Sequence, residues 1–158
     1  MPADIDKIDQ KIMRELVRDA RVSQVMLAKR IGLSPTACAR RVQQLEKAGI
    51  IRGYSAEIDA ATLGYRMQIV VSITLDRQNE NTLSAFEKAI GKCPDVMSCY
   101  LMSGSEDYLV EVQARDMEDY ERIHNQHLSR LPGVIRLHSS FAMRVVTKRN
   151  ISPGALSS

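Results

Sequence analysis

Residues 32–49 of this 158-residue chain have the sequence GLSPTACARRVQQLEKAG. Ser34 is a favoured residue for capping the start of a helix, and Pro35 is favoured at the first helical position. Gly49 is typical of the position just after a helix ends. The stretch therefore predicts one helix that begins at Pro35, ends near residue 48 and is entered through a tight turn at residues 32 and 33.

This predicted helix has two chemically different sides. Cys38, Val42 and Leu45 cluster on one side of a helical wheel, which suits packing. Arginine can pair with guanine and glutamine with adenine in the major groove, and a helix N-terminus can meet a phosphate. The other side and the first turn carry the candidate DNA-binding residues, which are Ser34, Pro35, Thr36, Arg40, Gln43, Gln44 and Lys47.

Two more helices are predicted upstream. Ser23 can cap a short helix that ends at Gly32, with its buried side formed by Leu27, Ala28 and Ile31. An earlier helix has apolar residues at helical spacing, at Ile5, Ile8, Ile12 and Leu16, behind the acidic Asp4 and Asp6. The order helix, helix, tight turn, helix indicates a helix-turn-helix DNA-binding domain.

The charge distribution supports this interpretation. Seven basic residues and one acidic residue, Glu46, lie between Arg21 and Arg52. Such a basic segment favours a polyanionic partner, here double-stranded DNA. We expect Lys29, Arg30 and Arg41 to grip the phosphate backbone, and the alternative is an ordinary solvated helix face.

Composition excludes several classes of protein. The chain is 44% hydrophobic and 26% charged, which is typical of a globular protein, and it has no apolar run long enough for a membrane helix. Cys38, Cys93 and Cys99 form no CxxC pair, which fits a reducing compartment and predicts a cytoplasmic protein. The predicted DNA-binding domain implies that it is nucleoid-associated. Motifs for phosphate loops, zinc proteases and serine hydrolases are missing, so we expect no enzyme activity, no metal and no cofactor.

The second part of the chain has a different period. Residues 67–75 alternate as a strand, a helix with Leu83, Phe86 and Ile90 on one stripe follows, and residues 96–103 and 108–114 form a hairpin. Asp116 can cap a last helix that runs to Leu131, and residues 134–146 form a long strand. The order βαββαβ predicts a ferredoxin-like sheet with both helices on one face, and hence an α+β protein.

The predicted domain organisation follows from these elements. A helix-turn-helix, winged-helix-like domain spans residues 1–58, where residues 50–58 form a weak short strand, and a linker spans 59–66. The ferredoxin-like domain spans 67–149, and 150–158 form a flexible tail. A second copy can cover the bare sheet face, and a two-fold dimer presents two reading helices to a pseudo-palindromic DNA site.

Several stretches resemble the Lrp/AsnC family of bacterial and archaeal transcriptional regulators. They are Ile5-Asp6-Lys7-Ile8-Asp9, Gly32-Leu33-Ser34-Pro35-Thr36, Arg40-Arg41-Val42, Gly49-Ile50-Ile51, Ser103-Gly104, Asp107-Tyr108 and Leu131-Pro132-Gly133-Val134. The resemblance covers nearly the whole chain. It implies an amino-acid-sensing second domain, dimers that assemble into octamers, and an effector that is an amino acid or a related metabolite.

The resemblance also implies an effector pocket between dimers, around the hairpin turn. Turn N–H groups near Gly104 could hold a ligand carboxylate while Asp107 pairs with its ammonium group. In the alternative, Gly104 and Asp107 only shape a tight hairpin. The residues carried over are Ser103, Gly104, Asp107, Tyr108, Ser140, Phe141 and Ala142.

Two alternative functions stay open. Siroheme decarboxylases resemble this family in both domains. The pair His124 and His127, with His138, is consistent with such a tetrapyrrole enzyme. We expect these histidines instead to be packed in the core or to face solvent. A weakly specific architectural DNA-binding protein is the other alternative. Cys38, on the packing side of its helix, is expected to be a core residue rather than a redox sensor.

Overall fold

The computed structural model describes residues 5–156 of the chain. The described chain divides into two compact units. One contains the residues up to 57 together with those from 148 on, and the other contains residues 58–147. Asp4, expected to precede the first helix, lies outside the described residues.

Three helices build the first unit. The expected caps Ser23 and Ser34 are confirmed, since each side chain accepts a hydrogen bond from a backbone N–H of the first helical turn, and Asp6 caps the first helix in the same way. Gly32 ends the second helix at φ +77°, a left-handed conformation that favours glycine. The helices are α1 (Lys7–Arg18), α2 (Gln24–Ile31) and α3 (Pro35–Lys47).

The three helices share a small apolar core. Its fully buried members come from every helix: Ile12, Leu27, Ala28, Cys38, Val42 and Leu45. Each was expected on the packing side of its helix. Burial also raises the pKa of the Cys38 thiol, which keeps it protonated at neutral pH. Cys38 is therefore a core residue, as the sequence predicts.

Residues 50–58 do not form the expected strand. After α3 the chain turns through backbone hydrogen bonds from Ile50 and Ile51 to the carbonyl of Leu45. Residues 52–58 then run without regular structure. A strand needs a neighbouring strand to pair with, and the described residues offer none beside this segment. The short alternating pattern predicted this strand wrongly.

The chain returns to the first unit at its far end. Residues 150–158, expected to be a flexible tail, include a short 3-10 helix at Pro153–Leu156. Leu156 is buried, and its carbonyl oxygen accepts hydrogen bonds from the Arg14 guanidinium of α1. An apolar side chain and a satisfied carbonyl thus attach this segment to α1.

A four-stranded antiparallel sheet forms the second unit, with strand order β2-β3-β1-β4. The predicted βαββαβ order is confirmed. Its elements are β1 (Met67–Leu75), α4 (Glu80–Ile90), β2 (Val96–Leu101), β3 (Tyr108–Ala114), α5 (Met117–Gln126) and β4 (Val134–Phe141), with a short 3-10 helix at Leu128–Arg130.

One face of this sheet carries the core. Alternate residues of β1 and β3 are buried, and they pack with Phe86 and Ile90 of α4 and with Tyr120 and Ile123 of α5. The intervening residues, among them Val70 and Leu109, are only half-buried. Both helices therefore cover one face, as expected, and no helix of the described chain covers the other.

Three elements are shorter than the sequence predicts, and the first is β2, which was expected over 96–103 and ends at Leu101. The strand expected over 134–146 ends at Phe141, because Ala142 N–H bonds to Gln68 O at the start of β1 and no partner strand continues beyond it. The last helix was expected to run to Leu131, but α5 ends at Gln126 and the 3-10 helix brings Leu128 and Leu131 into the core. Among residues 5–156, no helix has the length and apolar character that crossing a membrane requires.

Candidate nucleic-acid interface and effector site

The polar side of α3 is exposed to solvent. Arg40, Gln43, Gln44 and Lys47 follow the spacing i, i+3, i+4, i+7, which places them along one side of a helix. All four are exposed, and their side chains make no hydrogen bond or ion pair with the described residues. Thr36 is also exposed, in the first turn of the helix. We call Thr36, Arg40, Gln43, Gln44 and Lys47 the reading face.

The apolar core fixes the direction of this reading face. Cys38, Val42 and Leu45 are buried on the opposite side of α3, so the helix cannot rotate without exposing them. Ser34 Oγ accepts a hydrogen bond of 3.2 Å from the Ala37 N–H, and Pro35 has no N–H, so the Thr36 N–H is the first-turn donor left for an anion. The arrangement can present donors to a DNA groove.

The three cations expected to hold phosphates differ in their surroundings. Lys29 is exposed and has no partner among the described residues. Arg30 is exposed and forms an ion pair of 3.0 Å with Glu15 of α1. Arg41 is only half-exposed, and its Nη1 lies 2.7 Å from Asp6 Oδ2 and 2.8 Å from Asp9 Oδ1.

The single acid of the basic segment also has a partner. Tyr54, in the segment after α3, donates a hydrogen bond of 2.8 Å to Glu46 Oε1. Burial, reinforced by the hydrogen bond to Glu46, raises the pKa of Tyr54 to about 12. The phenol therefore remains a donor at neutral pH, and it holds the Glu46 carboxylate in place.

Asp107, expected to pair with a ligand ammonium group, instead forms hydrogen bonds with residues of its own chain. The residue is buried, with 4% of its surface exposed. Oδ2 accepts a hydrogen bond of 2.7 Å from the Leu75 N–H, and Oδ1 accepts one of 2.6 Å from Gln78 Nε2. The Asp107 N–H donates to Ile73 O at 2.9 Å. Asp107 thus connects the hairpin turn to the end of β1.

The turn beside Asp107 presents unused donors. Ser103 and Gly104 are exposed, as are the next two residues. The backbone N–H groups of residues 103–106 make no hydrogen bond to any part of the chain between residues 5 and 156. Consecutive N–H groups of this kind can hold a carboxylate or another anion.

Tyr108 lies in the core rather than in the turn. It is 1% exposed, its ring stacks on Phe86 with 4.3 Å between centroids, and its hydroxyl donates to Glu87 Oε1 at 2.8 Å. Burial, together with the Glu87 carboxylate, holds the pKa of Tyr108 well above its usual value. In this position the side chain packs the start of β3 against α4.

The two parts of the expected effector site lie at opposite ends of β1. The hairpin turn adjoins the end of β1, since Tyr108 pairs with Ile73, whereas Phe141 pairs with Ile69 near its beginning. Four residues of strand correspond to about 13 Å. Ser140 pairs with Val70, and Ala142 lies one step beyond Phe141. One subunit therefore does not bring Ser103 and Gly104 together with Ser140, Phe141 and Ala142.

The histidines and the remaining cysteines form no common site. His124 Nδ1 lies 3.1 Å from Asn125 Oδ1, and His138 is exposed opposite Ser72. Among residues 5–156, no group of three or more His, Cys, Asp or Glu side chains is placed to hold a metal ion. Burial raises the pKa of both Cys93 and Cys99, the latter to about 11, so neither thiol is activated.

Sequence reasoning missed several partners that shape these sites. Gln78 and Glu87 hold Asp107 and Tyr108, while Asp6 and Asp9 hold Arg41. These contacts join residues that are 21 to 35 positions apart in the chain. Local spacing carries no signal for them.

Comparison with known proteins gives matches to two family models. Residues 5–52 match the winged helix-turn-helix DNA-binding model, and residues 68–151 match the Lrp/AsnC ligand binding domain. The second match alone covers more than half of the chain. Together the two models cover both units of the fold.

Individual proteins agree with the family models. A helix-turn-helix-type transcriptional regulator of Sinorhizobium fredii is 47% identical over 116 residues, which are 73% of this chain and 91% of the relative. The leucine-responsive regulatory protein of Escherichia coli is 39% identical over 93% of this chain and 90% of its own length. A solved transcriptional regulator of Neisseria meningitidis, in complex with L-methionine, is 31% identical with a TM-score of 0.88, and the match covers 94% of this chain and 96% of that one.

Proposed function

We infer that this chain, which belongs to the Lrp/AsnC family of transcriptional regulators, binds specific DNA sequences and changes that binding when an amino acid or a related metabolite occupies its C-terminal domain. The observation that carries the first half is the exposed reading face of α3, whose donors have no partner among the described residues. Unpaired arginine and glutamine side chains on a rigid helix are suited to base edges in the major groove.

We assign different roles to the proposed DNA-binding residues. Arg40, Gln43 and Gln44 contact bases, with Thr36 and Lys47 at the ends of the same face. Ser34 and Pro35 place the helix N-terminus against a phosphate, and Lys29 and Arg30 contact phosphates from α2. Arg30 must leave Glu15, or share its guanidinium with it, to do so.

The effector proposal rests on the hairpin turn. Unused N–H groups at Ser103 and Gly104 suit a ligand carboxylate, and the bound L-methionine of the Neisseria meningitidis neighbour makes α-amino acids the first class to test. Asp107 then acts by shaping the turn, since both of its oxygens are already hydrogen-bonded. A pocket that also uses Ser140, Phe141 and Ala142 needs a second subunit to supply them.

Assembly, location and chemistry follow from the same proposal. A homodimer covers the half-buried sheet face around Val70 and Leu109 and presents two reading helices to a pseudo-palindromic site. Further association of dimers, up to an octamer, forms the effector pocket between them. The protein then acts in the cytoplasm on the nucleoid, has no cofactor and catalyses no reaction.

Selection of genomic DNA tests this proposal. Purified protein is mixed with sheared genomic fragments at near-physiological salt, with and without a mixture of amino acids, and the bound fragments are sequenced. We expect a few pseudo-palindromic sites to be enriched, and the enrichment to change with the mixture. Uniform recovery of all fragments points to an architectural protein. No recovery, together with a coloured, tetrapyrrole-containing preparation, supports the siroheme decarboxylase alternative.

A further inference from the structure

Arg41 lies beside the reading face but is bound to the start of another helix. Its Nη1 donates to Asp6 Oδ2 at 2.7 Å and to Asp9 Oδ1 at 2.8 Å, so one guanidinium nitrogen bridges two carboxylates. The Arg41 and Asp9 side chains are 27% and 13% exposed, while that of Asp6 is 48% exposed. Ion pairs shielded to this degree are screened less by water and salt than fully exposed ones.

The two carboxylates are themselves fixed by the backbone. Asp6 caps α1 and accepts hydrogen bonds of 2.8 Å from the N–H groups of Ile8 and Asp9. The Asp9 side chain accepts in return from the Asp6 N–H, which completes a capping box. The partners of Arg41 are therefore held in place before it binds them. This contact connects the first turn of α1 to the middle of α3.

Charge at this position does not favour a phosphate. Two carboxylates face one guanidinium, so the local sum is negative, whereas Arg40 and Lys47 have no acidic partner among the described residues. Bonds to Asp9 and Asp6 raise the pKa of Arg41, and the Asp9 N–H with Arg41 lowers the pKa of Asp6. Asp6 and Arg41 therefore stay charged at neutral pH.

We propose that Arg41 is a positioning residue rather than a phosphate contact: bound to Asp6 and Asp9, it sets the orientation of α3 on α1 and thereby directs Arg40 and Gln44 toward the bases. This inference rests on the proposed DNA-binding function. It differs from the expectation that the basic segment alone suggests, in which Arg41 grips the DNA backbone.

The direction in which one substitution changes DNA affinity distinguishes the positioning role from the phosphate contact. Asp9→Asn removes a negative charge from a DNA-binding unit, and electrostatics alone predicts tighter binding. A positioning role predicts weaker binding, by roughly 3- to 30-fold, because the coupling between residues in contact is lost. Asp6→Asn gives a second variant, since asparagine caps helices as well as aspartate but leaves Arg41 without that charge.

Salt dependence provides an independent readout. Each phosphate contact steepens the dependence of log Kd on log salt concentration by about one unit. Arg41→Gln is expected to weaken binding without changing this slope, whereas Lys29→Gln, a proposed phosphate contact, lowers the slope by about one. A change in fold stability alone alters neither the affinity of the folded fraction nor the slope.

The experiment measures Kd from low to physiological salt for the full chain and its variants, on one DNA fragment that the unsubstituted protein selects. Glu57→Gln is the matched control, because Glu57 is exposed and no contact ties its carboxylate to the described chain. Circular dichroism at the assay temperature establishes the folded fraction of each variant. The double variant Asp9→Asn/Arg41→Gln completes a thermodynamic cycle.

The inference predicts that Asp9→Asn, Asp6→Asn and Arg41→Gln all weaken binding with unchanged slopes, and that the double variant is no weaker than Arg41→Gln alone. Unchanged or tighter binding by both aspartate variants overturns it, as does a slope reduced by about one in Arg41→Gln. If the unsubstituted protein selects no DNA fragment at all, the proposed function itself is wrong and the inference falls with it.

Discussion

Arg40 and Lys29 are both exposed cations without a partner among the described residues, but they lie on different helices. Arg40 belongs to the reading face of α3, so Arg40→Ala should remove a base contact and reduce affinity for the selected site by about 1–3 kcal/mol. It should also reduce the sequence specificity at one base pair of that site. Lys29→Ala should weaken binding to all sequences alike. Binding to a library of sites with single-base changes checks both effects.

Identical effects of the two substitutions would contradict this assignment of the reading face. Arg52→Ala is a suitable control, because Arg52 follows α3 and lies outside the reading face. It should leave the base preference unchanged.

Asp107 is the one buried charged residue among those described. Asp107→Ala leaves the buried Leu75 N–H without its acceptor and Gln78 without its partner, which should lower the free energy of unfolding of the second unit by about 2 kcal/mol. The adjacent Glu106 is exposed, so Glu106→Ala should change the free energy of unfolding of this unit by no more than about 0.5 kcal/mol. Urea unfolding compares the two variants, and equal stabilities would contradict a structural role for Asp107.

Residues whose role depends on near neighbours could be predicted from the sequence. Ser23 and Ser34 cap their helices through N–H groups three positions away, and Cys38 is buried because its helix has one apolar side. The partners of Arg41 and Asp107 could not be predicted, because 29 to 35 residues separate each pair and only the folded chain brings them together.

Whole elements, like single residues, could be predicted where local sequence decides them and not where distant partners do. The alternating pattern predicts β1 well, because strands on both sides and a core beneath it make every second residue buried. The same pattern predicts too long a strand over 134–146, since β4 can pair only as far as β1 extends. Residues 50–58 alternate weakly but have no neighbouring strand in the described chain. Strand length is thus a property of the sheet and not of the segment.

The 3-10 helix at Pro153–Leu156 gives a prediction about the first unit. Leu156 is 6% exposed and belongs to the same compact unit as α1. Leu156→Ala should lower the stability of that unit by about 2 kcal/mol, because buried leucine side chains lose transfer energy and leave a cavity. Val146→Ala is the control, since Val146 is 81% exposed.

Amide hydrogen exchange distinguishes the units. Leu156→Ala should accelerate exchange in α1 while exchange in β1 stays unchanged, and Val146→Ala should affect neither. Unchanged exchange in α1 of the Leu156→Ala variant would show that this segment does not stabilise the helix-turn-helix.

The whole molecule combines a DNA-reading unit with a ligand-binding unit of the Lrp/AsnC type. Regulation requires that the ligand bind one arrangement of the protein more tightly than another, and the same coupling then makes DNA alter the affinity for the ligand. In a single subunit the expected effector residues lie about 13 Å apart along β1. We therefore expect ligand affinity to depend on assembly, and hence on protein concentration.

The most direct test is the equilibrium Kd for a selected genomic site and for a scrambled fragment of equal length, each measured with and without individual amino acids. The account predicts at least about 1,000-fold preference for the selected site, and a change in its Kd of about 5-fold or more with at least one amino acid. Equal Kd values for both fragments, unchanged by any amino acid, would contradict the conclusion that this protein is an effector-responsive, sequence-specific regulator.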